Sequence, residues 1–118
     1  MKKLGTVIDA KKLVAHRDRR TRQLNGLNGL VIEFLTDTTI TDSSVVYLTY
    51  NGINKPFNVR EVEIKKDQLL GRAVECGYWA KKLEKDETLD LRSLIDCGIL
   101  LVEDTDELNK IHEQSLWC

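Results

Sequence analysis

Residues 45–64 read VVYLTYNGINKPFNVREVEI, and the fold turns on how this stretch is read. Val45–Tyr50 is apolar, aromatic and Thr throughout, the composition of a half-buried strand. Asn51-Gly52 follows, a pair that accepts positive φ and closes tight hairpins. The chain then runs extended from Phe57 to Ile64, with Pro56 at its start, where a missing N–H is tolerated. Strict alternation would put Phe57, Val59, Glu61 and Glu63 on one face and Asn58, Arg60, Val62 and Ile64 on the other. The apolar set therefore changes face near Arg60–Glu61. One extra residue there, a β-bulge, restores a single apolar face.

Toward the N-terminus, Leu30–Leu35 is a β-branched and aromatic run, and Thr38–Thr41 is a second, polar one. Residues 30–64 thus predict an antiparallel meander of three to four strands. Before it, Leu24-Asn25-Gly26 and Leu27-Asn28-Gly29 repeat a turn signal. Asp9–Leu24 reads as a solvated helix capped by Asp9, or as an extended arm. Thr6–Ile8 suits a short strand.

Toward the C-terminus the apolar spacing changes. Leu69, Leu70, Ala73, Val74, Cys76, Ala80 and Leu83 recur at helical intervals after Asp67, a candidate cap, although Gly71 and Gly77 weaken such a helix. Thr88–Cys97 predicts a second helix, with Leu91, Leu94 and Ile95 inward and Gly98 as its stop. Ile99–Val102 is a buried strand or junction. A last helix opens at Asp104 with Glu107 three residues on, the spacing of a capping box. Leu108, Ile111, Ser115 and Leu116 form its inner stripe. The expected fold is α+β in one domain over residues 1–118: a basic N-terminal helix or arm (1–29), a meander (30–64) and two to three packed helices (65–118).

The chain has 118 residues, 42% hydrophobic and 31% charged, and this excludes a disordered or collagen-like chain. Three scattered cysteines with no C-x-x-C pattern predict neither a disulfide framework nor a zinc site. No apolar run approaches the ~20 residues of a membrane span, and no leader follows Lys2-Lys3, so the expected location is the cytoplasm, away from membranes.

The net charge of −1 hides a gradient: residues 1–30 hold eight basic and two acidic side chains, and residues 84–118 hold three basic and ten acidic ones. The densest feature is His16-Arg17-Asp18-Arg19-Arg20-Thr21-Arg22. Arginine donates paired hydrogen bonds that match phosphate. His16, Arg17, Arg19, Arg20 and Arg22 are therefore candidate ligands for a phosphorylated molecule, a nucleotide or nucleic acid, with Arg60 and Arg72 as residues that could complete a pocket. Against this, the cluster lacks interleaved aromatics and the chain is not basic overall.

No catalytic, metal or cofactor motif is present. His16 and His112 are the two histidines, and His112 reads as a half-buried structural residue on the last helix. Tyr78, Trp79 and Trp117 are candidate interface anchors. The function expected from these features is that of a small non-enzymatic adaptor or inhibitor, of the kind bacterial viruses encode, that binds another macromolecule; a protein partner and self-association are expected. Its alternative is anion binding through Arg17–Arg22. No cofactor is expected.

Overall fold

A computed structural model describes residues 1–13, 16–17, 24–25, 29–75 and 90–113. It replaces the expected meander and helices with a closed antiparallel barrel. The strands are β1 (Lys2–Leu13), β2 (His16–Arg17), β3 (Leu24–Asn25), β4 (Gly29–Thr36), β5 (Val45–Tyr50), β6 (Ile53–Lys65), β7 (Gln68–Glu75) and β8 (Gly98–Leu101). Six of them close in the order β1-β4-β7-β6-β5-β8, and β2 pairs with β3 as a separate two-stranded ribbon. A 3-10 turn spans Leu91–Leu94, and α1 (Thr105–Glu113) is the one α-helix among the described residues.

The central correction is β7. Leu69, Leu70, Ala73 and Val74 satisfy a helical period, but they also fit a strand buried on both faces. Such a strand carries no polar alternation to betray it. Here Gly71 and Ala73 face the interior, and Leu70, Arg72 and Val74 face the outer wall. The presumed helix cap, Asp67, instead shares a hairpin turn with Lys66, whose φ is +40°. The continuation of that expected helix through Cys76 and Leu83 lies outside the described residues.

The expected second helix is reduced to its 3-10 turn, capped by the Asp90 side chain, which accepts from the Arg92 N–H at 3.0 Å. Leu91, Leu94 and Ile95 do point inward. The residue that reverses the chain is Asp96 (φ +70°), and Gly98 opens β8 rather than ending a helix. Residues 9–13 belong to β1, so the N-terminal helix reading fails too. Thr38–Thr41 is not a strand: it is a connection whose Ile40 is buried in the core.

Other expectations stand. Asn51 and Gly52 both adopt positive φ, +50° and +75°, and close a two-residue hairpin between Tyr50 and Ile53. That pair of conformations matches the twist of the strands it joins. The register shift between Val59 and Glu61 is the bulge expected from the broken alternation.

The barrel interior is filled. Val7, Leu30, Ile32, Phe34, Val46, Leu48, Phe57, Val59 and Ile99 form one cluster, joined by Ile40 from the β4–β5 connection and Leu94 from the 3-10 turn. A barrel of six strands has room for side chains and little else.

One part of the outer wall is already covered. Ile111 and Leu108 of α1 pack with Val45, Tyr47, Leu100 and Val102. Asp104 caps the helix, accepting from the Asp106 N–H at 2.8 Å. Glu107 does not close a capping box; it accepts a hydrogen bond from the Tyr47 hydroxyl. Burial first, then that bond and the charge of Glu107, push the Tyr47 phenol up to about 12. An unfolded phenol titrates near ~10, so folding holds the proton on. The stabilisation is complete below pH ~10 and is lost as pH rises from there toward the folded value. Tyr47→Phe is expected to cost about 1–2 kcal/mol at neutral pH and to flatten this alkaline slope in a pH series of urea titrations. An unchanged slope would show that another group carries it.

No described helix is long and apolar enough to cross a membrane.

Candidate functional site

Two bulges build the most distinctive surface of the barrel. In β1 the register shifts between Val7, opposite Phe34, and Asp9, opposite Glu33. Ile8 is the extra residue. It is turned out to 46% exposure instead of joining the core. In β6 the extra residue is Arg60. Without it Arg60 would face Arg72 on β7; with it, Glu61 does. The bulge thus does two things at once. It returns Val62 to the interior, and it puts a carboxylate rather than a second guanidinium beside Arg72.

Arg72 then sits at the centre of three carboxylates. Its Nε donates to Glu33 at 3.1 Å, Nη1 lies 3.0 Å from Glu61, and Nη2 donates to Glu63 at 3.2 Å. Lys65 braces Glu63 at 3.1 Å and Lys11 approaches Glu33 at 3.8 Å. The hydrogen bond to Glu33, then that to Glu63 and the charge of Glu61, hold the Arg72 guanidinium more firmly protonated than usual. Lys65 first, then Arg72, draws the Glu63 carboxyl below the usual range.

Arg72→Met is expected to lower the thermal midpoint at neutral pH by leaving three carboxylates facing one another. A depressed carboxyl contributes stability above its unfolded pKa and loses it as pH falls through the folded value. The wild-type and Arg72→Met midpoints should therefore converge as acid neutralises the carboxylates. A constant offset from neutral to acid pH would contradict the cluster's electrostatic role.

Beside this cluster lies an open groove of about 740 Å³, lined by Ile8, Leu35 and Leu70 and by Glu33, Asp37, Lys65, Lys66, Asp67 and Gln68. Leu35 and Leu70 are cross-strand partners on the outer wall. The volume is within the ~300–1,000 Å³ usual for ligand and docking sites. Glu33 and Lys65 are occupied by ion pairs. Among the described residues Asp37, Asp67 and Lys66 are in none, so the free rim charge is two carboxylates against one ammonium.

The residues singled out from sequence are not brought together here. His16 and Arg17 form β2, paired with Asn25 and Leu24 of β3. This ribbon follows the Leu13–Gly29 end of the β1–β4 ladder, so it lies at the end of β4 opposite the groove. Arg19, Arg20 and Arg22 lie outside the described residues, as do Tyr78, Trp79 and Trp117. Arg72 is not free to complete an anion pocket, because three carboxylates hold it. His112 is exposed, not half-buried. Cys97 packs on the core, and burial and the Asp96 charge push its thiol up, away from the reactive thiolate. No group of three metal-ligating side chains converges among the described residues.

The sequence does carry a signal for the groove. Val7-Ile8 places two large apolar residues side by side in a strand, and in an alternating strand one of them must face outward. The fold and site together define a small closed barrel with a filled interior and an outer-wall groove. No protein-family model, curated protein or solved structure matches the chain.

Proposed function

We propose that this chain is a non-enzymatic interaction protein, of adaptor or inhibitor type, that docks another protein on the outer groove at Ile8, Leu35 and Leu70. The supporting observation is the bulge that turns Ile8 out of the core beside two further leucines. Ile8 is the exposed member, with Leu35 half-buried and Leu70 buried beside it, and an exposed aliphatic side chain in such an apolar setting favours association once water is excluded.

Ile8→Glu tests the proposal without disturbing the core. Loss of one buried aliphatic anchor, about 1.5–3 kcal/mol, weakens a partner about tenfold or more. The immobilised wild-type chain should retain a partner that Ile8→Glu releases, while thermal midpoints stay alike. Equal retention by both would remove the groove from the function.

A further inference from the structure

The barrel has a groove at one end of β4 and a basic ribbon at the other. We propose that the groove of Ile8, Leu35 and Leu70 receives the β2–β3 ribbon of a second copy of this chain, joining copies head to tail. The inference rests on the groove as a protein-docking face, and it names the occupant.

Three observations carry it. The first is charge. The free rim of the groove is acidic on balance, through Asp37 and Asp67 against Lys66. The ribbon and the residues that join its strands contain Arg17, Arg19, Arg20 and Arg22 against the single acid Asp18. The second is stability. A two-stranded ribbon is marginal by itself in water. Among the described residues β2 and β3 pair only with each other, so contact with a second copy would add to a marginal pair. The third is placement. β4 leaves the ribbon end at Gly29 and reaches the groove at Leu35, roughly 20 Å away at strand rise. A site and its occupant at opposite ends of one subunit make a heterologous contact. Such contacts repeat into a ring or a filament rather than stopping at a symmetric dimer.

The test is a mixing experiment read by native mass spectrometry and light scattering. Ile8→Glu removes the groove and keeps the ribbon. A second variant, with residues 18–23 replaced by Asn-Gly, keeps the groove and removes Arg19, Arg20 and Arg22. Arg19→Glu combined with Arg22→Glu reverses the charge of the segment joining β2 and β3 at full length and serves if the shortened chain does not fold. The wild-type chain should be oligomeric, and each variant alone should be monomeric. A mixture of the groove variant with either ribbon variant should form a one-to-one dimer and nothing larger, because one intact interface remains. A wild-type monomer at every concentration overturns the proposal, as do variants that keep the wild-type stoichiometry or a mixture that does not pair. A monomer that holds heparin through its ribbon also overturns it, and assigns the arginines to a polyanion. An Ile8-dependent foreign partner on a monomeric wild-type chain would end this inference and leave the docking reading standing.

Discussion

Gly5→Ala is expected to be among the most damaging single methyl groups that can be added to the chain. Gly5 lies at φ +156°, and a Cβ built there would stand 2.8 Å from the Leu35 carbonyl oxygen. That oxygen is backbone in the wall of the barrel and has no rotamer by which to retreat. The position is also structural in a wider sense. β1 pairs with β8 over Lys2–Thr6 and with β4 from Val7 onward, so Gly5 sits where one strand passes between its two neighbours and the barrel closes. The register shift between Lys3 and Gly5 is the bend that makes this possible. The strained φ costs about 1–3 kcal/mol and the overlap a similar amount. Together these approach the ~5–15 kcal/mol that holds a whole domain folded. The measurement is the urea midpoint at constant m-value. Gly98→Ala is the control, because a Cβ there meets nothing within 4 Å. It should stay within about 0.5 kcal/mol of wild type. Equal losses in the two variants would show that the crowding at Gly5 is relieved elsewhere.

The parts of this fold that could be read from the sequence are those where local chemistry decides. Asn51-Gly52 specifies its hairpin through positive φ, and the bulge at Arg60 is demanded by the face on which Val62 must lie. Asp104 begins α1 because its carboxylate satisfies an early helical N–H. The parts where the structure departs from the sequence pattern are those where tertiary pairing decides. Residues 69–74 are largely buried on both faces and, apart from Arg72, carry no polar side chain, so their pattern fits helix and strand alike. Closure of the barrel adds β1 and β8 at the far ends of the chain, and no local signal announces that two such segments will pair. The site shows the same division. Arg72 looked like a free cation in a list of residues. Its three carboxylates arrive from β4 and β6, and one of them is opposite Arg72 only because of the bulge.

Phe34→Ala is expected to lose about 3–5 kcal/mol of stability, because it empties the centre of a small barrel. Phe34 is fully buried, and its cross-strand partner is Gly71. The pair explains why a glycine stands inside β7. A Cβ at Gly71 would lie 2.7 Å from the Phe34 ring and 2.9 Å from the Ile40 side chain. In a six-stranded barrel one large side chain must face one absent one, and here the ring takes the space that the glycine leaves. Gly71→Ala should therefore cost about 1–3 kcal/mol by overpacking, since the enclosed ring has no free direction in which to move. The two losses should not add. Phe34→Leu withdraws the far edge of the ring and makes room for the methyl group. The double variant Phe34→Leu/Gly71→Ala should then be more stable than the sum of its single losses by about 0.5–3 kcal/mol. Denaturant titration of the four proteins in the cycle gives that coupling directly. Strict additivity would mean that the ring and the glycine do not share one space, and the packing argument for Gly71 would fail.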